Sequence, residues 1–450
     1  MDTLLSKVTA PLQSRAFYLL TPLTALALGC GQGGGERAQG GPLESESGAG
    51  STSVAEAAAF ADSAVSDWIR RAVVPGAVLR VSTGEGLVLE RAYGWAQAFE
   101  YHDGQYGRWP GAGAVGTEAD GAEGLRRLDG PPAMTTGSRF DLASVTKVMA
   151  TTFALMTLID EGRVELDRPV STWWPEVTGG GKEAITPRHL LTHTSGLAQW
   201  MPVYYAAERP DQAYARVLQF PLSWPVGEER HYSDLGFMLL GGLVEVVSGM
   251  PLNRFLDERL YGPLGLTRTG FAPSDDGPFA ATSHGNPFEF RMVHDSTFGY
   301  HIRGDADAWS GWRHRTLVGE VNDGNAHHAF GGVAGHAGLF STAEELDVLL
   351  RLLLDGGAQD GTTFISRSVV QTFLTPTLPG QALGWQVPPG APLGSFAHTG
   401  FTGTWVAAVP ALDLSIVLLT NRQNGGVDEE ARYPDLEPLR QLILERFLAS

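Results

Sequence analysis

An α/β (α+β) fold with a central antiparallel sheet flanked by helices is what this sequence predicts, on three observations. Strand-like runs bounded by turn residues cluster near both ends of the chain. Long apolar helical patterns fill its middle. At 450 residues the chain also exceeds one average core. One sheet is therefore built from both chain ends, with a mostly helical subdomain inserted: 54–143 and 341–450 make the α/β part, 144–340 the helical part.

Composition bounds the rest. Hydrophobic residues make up 43% and charged residues 18%, as in a globular protein. Fifty acidic against 32 basic residues give a net charge of −18, which argues against a nucleic-acid partner, because phosphates need a basic face. The single cysteine, Cys30, excludes an intramolecular disulfide. Lys7 and Arg15 precede an apolar run from Ala16 to Leu28, too short to span a bilayer and suited to a signal-peptide core. Ala27-Leu28-Gly29-Cys30 resembles a lipobox, so residues 1–30 are expected to direct export and Cys30 to carry lipid. Residues 31–53 are rich in Gly, Ser and Glu and read as a flexible tether. The folded part, 54–450, is expected to be a monomer in the periplasm or cell envelope that meets the membrane only through that anchor.

Ala55 to Ala72, with Phe60, Ala64 and Trp68 on one face, predicts a helix closed by Pro75-Gly76. Ala77–Ser82 and Gly86–Tyr93 around Thr83-Gly-Glu-Gly predict a hairpin. The Gly-rich stretch 100–130 lacks periodicity and reads as a surface insertion. Ser144 to Asp160 is apolar nearly all round and predicts a buried central helix; Ser233 to Val247 predicts another, stopped by Ser248-Gly249. A helix over Ala343–Leu354 follows. Strands are expected at Leu383–Val387, Phe396–His398, Thr404–Val409 and Leu414–Thr420, and a closing helix at Leu436–Leu448. No internal repeat is visible.

Ser144 and Lys147 lie three residues apart where the central helix begins, so they share one face. Serine is a weak nucleophile until a base takes its proton, and burial beside Val148 and Met149 is expected to strip Lys147 of its charge and make it that base. The helix start adds its dipole and the Ser144 N–H as an oxyanion donor. Tyr232-Ser233-Asp234 opens the second helix. The phenol can relay a proton if a cation lowers its pKa, and Asp234 can bond substrate or Lys147; Ser233 or Asp234 also reads as an ordinary N-cap. His398-Thr399-Gly400-Phe401 ends a strand. Gly400 admits close backbone approach and the Phe401 N–H can supply a second oxyanion donor.

Ser144-x-x-Lys147, Tyr232-x-Asp234 and His398-Thr-Gly400 in this order resemble the serine β-lactamase and penicillin-binding-protein-like hydrolases, in the branch similar to class C β-lactamases. The resemblance spans roughly 54–450 and includes Ile185-Thr-Pro-Arg-His-Leu-Leu-Thr-His-Thr-Ser-Gly-Leu197, Glu161-Gly-Arg-Val-Glu-Leu-Asp167 and Gly331-Gly-Val-Ala-Gly-His-Ala-Gly-Leu-Phe340. It implies a β-lactamase/transpeptidase-like fold, acylation of Ser144, base and acid roles shared by Lys147 and Tyr232, substrate contacts from Asp234, His398, Thr399, Gly400 and Phe401, and no cofactor. Two departures stand out: Tyr-x-Asp replaces Tyr-x-Asn, and His-Thr-Gly replaces Lys-Thr-Gly. Losing the second lysine removes a charge that would bind a substrate carboxylate. An esterase-, D-amino peptidase- or amidase-like activity is therefore expected rather than efficient β-lactam hydrolysis. Gly319 to Leu339 further resembles branch members active in peptidoglycan turnover, N-acetylmuramyl-L-alanine amidases among them, which points to peptide or muropeptide substrates.

Two rivals remain at this level. His284, His294, His301, His314, His327, His328 and His336 crowd one region with Asp295, Asp305, Asp307 and Asp323, but no metal-binding spacing such as H-E-x-x-H occurs, so no metal is expected. His336, between glycines, either lines the cleft or fixes a tight loop. A non-catalytic peptidoglycan-binding or sensor lipoprotein would have lost Ser144 or Lys147, and both are present.

Overall fold

The computed structural model describes residues 53–102, 124–274, 277–295, 297, 308–428 and 432–450. Cys30, the export segment and nearly all of the tether fall outside these residues, as do His301, Asp305 and Asp307.

A reciprocal cap starts the first helix, α1 (Val54–Arg70): the Ser53 hydroxyl accepts from the Glu56 N–H, and the Glu56 carboxylate accepts from the Ser53 N–H. Five strands form the main sheet: β1 (Gly76–Thr83), β2 (Gly86–Gly94), β3 (Phe396–Thr399), β4 (Thr404–Val409) and β5 (Leu414–Thr420). Their order is β3-β4-β5-β1-β2 and every pair is antiparallel. The first and last parts of the chain thus meet where β1 pairs with β5, Ala77 opposite Thr420 and Thr83 opposite Leu414.

Both faces of the sheet are covered, so its strands read as continuous apolar runs. The period of two sorts them cleanly. Leu79, Val81, Trp405, Ala407, Ile416 and Leu418 pack with α1 and the closing helix Glu437–Leu448. Val78, Val406, Ala408, Val417 and Leu419 pack into a larger core shared with the helical region. The helix Ala343–Leu354, on the expected boundaries, lies against that inner face and carries Asp347 into it. Asp347 is buried and accepts from Arg80 Nε at 2.9 Å, Ser82 Oγ at 2.6 Å and Ser415 Oγ at 2.5 Å.

Two expectations need correction. Leu383–Val387 forms no strand; it joins its neighbours through isolated bridges, Gln386 to Ala397 and to Gln381, because Gly384 at φ +82° turns the chain. The stretch 100–130 is not wholly irregular: Phe99–His102 pairs with Gly124–Arg127, and 103–123 lies outside the described residues. Among the described residues no single helix is long and apolar enough to cross a membrane.

Removing Asp347 leaves Arg80 and two hydroxyls buried without their shared acceptor. Asp347→Ala is expected to lower stability by about 3 kcal/mol, read as a fall in the urea midpoint at unchanged slope; a shift under a tenth of that would show the network to be dispensable.

Candidate active site

Ser144 sits at a break in local geometry. Ala143–Val145 make a 3-10 turn, Lys147–Thr152 a wider π turn, and only Phe153–Asp160 is α-helical. The expected continuous helix over 144–160 is therefore three helix types in succession. The Thr152 hydroxyl donates to the Lys147 carbonyl, five residues back, at 2.8 Å, and π turns of this kind recur at functional sites. Ala143, just before Ser144, has φ +46°, a left-handed conformation that costs a residue with a side chain about 1 kcal/mol. Its N–H donates to Asp141 Oδ1 at 2.8 Å, which holds it there.

Lys147 is fully buried, and three acceptors surround its amine. Nζ lies 2.9 Å from Ser144 Oγ, 3.1 Å from the His336 carbonyl and 2.7 Å from Asp234 Oδ1. Burial opposes a charge on that amine, but Asp234 and then Tyr232 more than offset it, so the Lys147 pKa is raised above the ordinary lysine value. The amine is charged at rest. Burial alone predicts a neutral lysine; Asp234 and Tyr232 together reverse the sign.

Asp234 begins the helix Asp234–Ser248, which is buried nearly all round and ends at Gly249 in the left-handed region. Ser233 is its N-cap: Oγ accepts from the Gly236 N–H at 3.1 Å and donates to the Ala198 carbonyl at 2.7 Å. With Ser233 capping the helix, Asp234 is free to pair with Lys147. Tyr232 lies on the other side of the amine, which sits 4.9 Å from its ring centroid. Burial pushes the Tyr232 pKa up by more than the Lys147 charge pulls it down, so the expected lowering by a cation does not prevail. Beneath the phenol lies His193, with ring centroids 4.4 Å apart. Its Nδ1 accepts from the Ser233 N–H at 3.1 Å, and burial first, then Lys147, keeps it neutral.

The opposite wall is the end of β3. His398 is buried, with its ring centroid 6.2 Å from that of Tyr232, and burial followed by the Lys147 charge lowers its pKa to about 3. The turn 400–403 is stitched to the chain ahead of Ser144: Thr402 Oγ1 donates to the Asp141 carbonyl at 2.7 Å and Thr404 Oγ1 to the Leu142 carbonyl at 2.9 Å. Gly400 sits in that seam, where a Cβ would meet Thr404 Oγ1 at 2.1 Å and the Leu142 oxygen at 2.3 Å. The Phe401 carbonyl accepts from Arg422 Nε at 3.1 Å and Nη2 at 2.7 Å, and its ring packs on Phe288. Among the described residues, the N–H groups of Ser144 and Phe401 have no hydrogen-bond acceptor.

The structure thus gathers Ser144, Lys147, Tyr232, Asp234 and His398 around one point, with Gly400 and Phe401 beside them and Thr399 half-buried next to them. Residues not assigned from the sequence are His193 under Tyr232, the His336 carbonyl on Lys147, and the Asp141–Thr402 tie. His193 lay within the Thr-His-Thr-Ser-Gly phrase, the one available signal. His336 fixes its loop as well: Nε2 is 2.9 Å from Asp323 Oδ1. Among the described residues no three His, Cys, Asp or Glu side chains converge on a metal-sized site. A shallow hollow of about 580 Å³ lined by Trp224 and Leu222 contains none of the gathered groups; His231 stacks on Trp224 at its edge.

Known proteins resemble this chain over most of its length. The family described as Beta-lactamase matches residues 61–438. The chain is 33% identical over 392 residues to an N-acetylmuramyl-L-alanine amidase of Bacillus subtilis (strain 168), covering 80% of each chain. It is 30% identical over 352 residues to a protein of Escherichia coli (strain K12) named "Putative D-alanyl-D-alanine carboxypeptidase", covering 72% of this chain and 78% of that one. Among solved structures, a penicillin-binding protein homolog from Caulobacter crescentus superposes with a TM-score of 0.61 at 19% identity, covering 88% of this chain and 97% of the other, which supports the fold.

Asp234 raises the Lys147 pKa, so removing its charge must lower it. In Asp234→Asn the rising limb of kcat/KM with pH for a p-nitrophenyl ester is expected to move to lower pH than in the unaltered chain. An unmoved or upward-shifted limb would show that the carboxylate does not set the protonation of the site.

Proposed function

The chain belongs to the Beta-lactamase family and is a serine hydrolase of that superfamily, and from that premise we propose that it works through an acyl-enzyme on Ser144, cleaving amide bonds in cell-wall muropeptides. The observation that carries the reading is the 2.9 Å contact between the Ser144 hydroxyl and an amine with no solvent exposure.

The three neighbours of Lys147 serve both of its protonation states. As an ammonium it donates to the Ser144 hydroxyl and the His336 carbonyl and pairs with Asp234. Once the Lys147–Tyr232 pair has lost one proton, the Ser144 contact can reverse, with Oγ–H donating and the pair accepting. Oγ then bonds to the substrate carbonyl carbon. The carbonyl oxygen, now negative, meets the Ser144 and Phe401 N–H groups, and desolvated donors aimed at such an oxygen are a large catalytic term. The proton taken from Oγ passes by way of Tyr232 to the leaving amine, the carbon–nitrogen bond breaks, and water releases the acyl group by the same steps in reverse order.

Muropeptide substrates are favoured by the relatives. One is named for cutting the amide between N-acetylmuramic acid and L-alanine, and it covers most of both chains. The other is named as a carboxypeptidase, whose substrate ends in a free carboxylate. This chain has His398 where Lys-Thr-Gly enzymes hold a lysine, which fits the amide substrate better. Lys7, Arg15, the apolar run and Cys30 support export to the cell envelope with a lipid on Cys30.

Ser144→Ala is expected to abolish turnover and labelling by a fluorophosphonate probe; retention of full rate would end the assignment. Lys147→Ala is expected to reduce kcat/KM more than Tyr232→Phe, and a reversed order would place the base role on the phenol. Cys30→Ser should move the protein from the membrane fraction to the soluble fraction, as judged by fractionation; an unchanged distribution would remove the lipid anchor from the proposal.

A further inference from the structure

The Thr399 carbonyl fixes the tautomer of His398. Nδ1 lies 2.9 Å from that oxygen, which has no proton to give, so Nδ1 carries the hydrogen and donates it. Nε2 is left as a bare lone pair. It is buried, and among the described residues no donor reaches it. Alternation along β3 sends it toward the cleft: Phe396 packs into the larger core and Ala397 into the smaller, so His398 returns to the side of Phe396, where Tyr232 lies. Asp234 holds Lys147 with one oxygen, and its side chain is 20% exposed. Both groups accept hydrogen bonds. The cations around them are already engaged: Lys147 by Ser144, His336 and Asp234, and Arg230, whose charge also reaches His398, by Gln381 Oε1 through Nε at 3.1 Å and Nη2 at 2.8 Å.

We propose that His398 is a specificity-determining residue that makes this cleft a reader of hydrogen-bond donors. It takes substrates that present an amide N–H or a hydroxyl next to the scissile carbonyl and rejects those that place a free carboxylate there. A substrate donor satisfies a buried lone pair that otherwise has no partner. A carboxylate brings only lone pairs to that lone pair, so rejection is built in. The substrate class is thus a neutral amide, such as an N-acylated sugar joined to a peptide or a peptide carboxamide. This specifies the substrate of the acyl-enzyme reading above and rests on it.

The test uses the full chain and two forms of one peptide ending in D-alanyl-D-alanine, the free acid and the C-terminal carboxamide. The readout is kcat/KM for each or, where turnover is undetectable, the protection each gives Ser144 against fluorophosphonate labelling. The wild-type chain is expected to favour the carboxamide by about tenfold or more. His398→Lys should invert that ratio, while His398→Gln, which keeps a neutral acceptor, should retain it. An equal or acid-favouring wild-type ratio, protection by neither ligand, or a ratio unchanged in His398→Lys overturns the proposal. If His398→Lys takes no probe, the wild-type ratio and that of His398→Gln decide. A wild-type chain that takes no probe removes the acyl-enzyme reading itself, whereas labelling without selectivity removes only this specificity.

Discussion

The ion pair between Lys147 and Asp234 is the constraint around which this site is organised. An ammonium with no solvent exposure costs several kcal/mol to bury alone. It is tolerated here because a carboxylate pairs with it while one carbonyl and one hydroxyl accept its hydrogens. These partners come from three separate stretches of chain, so the cation also fixes how those stretches lie against one another. The same pairing that stabilises the cation weakens it as a base. In the proposed mechanism, proton transfer from Ser144 belongs to the coupled Lys147–Tyr232 pair rather than to a neutral lysine, and the raised pKa of the amine moves loss of its proton toward alkaline pH. The stability contribution has the matching sign: a raised folded-state pKa makes it complete below the ordinary lysine value of 10.5 and lost only as pH climbs through the higher one.

Small residues and hydroxyls supply the precision around that pair. Gly335 lies so close to the helix Asp234–Ser248 that a Cβ there would meet the Phe237 carbonyl at 2.1 Å. That approach brings the 335–339 loop down onto the π turn, where Thr151 Oγ1 donates to the Gly335 carbonyl at 2.6 Å and Thr146 Oγ1 accepts from the Leu339 N–H at 3.1 Å. The His336 carbonyl then reaches Lys147. On the opposite side, Thr402 and Thr404 bind the carbonyls of Asp141 and Leu142, so the edge of the sheet is registered against the residues just ahead of Ser144. The left-handed Ala143 is the cost of aiming Ser144 at this junction.

Much of this architecture was legible in the residues. The apolar patterns located α1, the hairpin, Ala343–Leu354 and the last three strands of the main sheet to within two residues, since each has a clear period and clear turn residues at its ends. Ser144, Lys147, Tyr232, Asp234 and His398 were found by type and order alone. What the sequence hid was anything set by tertiary geometry. The π turn at 147–152 has no local signature, as its sequence is as apolar as the α-helix it interrupts. The charge state of Lys147 depends on a residue 87 positions away, and burial by itself argues for the opposite state. His193 under Tyr232 and the His336 carbonyl act through placement, which composition does not encode. The strand expected at Leu383–Val387 fails because its glycine turns the chain, a backbone matter that apolar content cannot reveal.

The two departures from the family motifs act in the same direction. An aspartate in place of asparagine at 234 adds a negative charge, and a histidine that stays neutral in place of lysine at 398 removes a positive one. Each change makes the cleft one unit less positive, two in all, with Asp234 on Lys147 and His398 beside Tyr232. Had either occurred alone, the site would be unbalanced: a neutral residue at 234 would leave Lys147 free to lose its proton through burial, and a lysine at 398 would crowd a second cation near the first. Together they leave one buried cation matched by one anion, with the uncharged phenol beside the cation. Such a site suits a neutral carbonyl compound, which has no counter-ion to displace, and in the proposed mechanism its strongest field develops only when the substrate oxygen becomes negative over the Ser144 and Phe401 N–H groups.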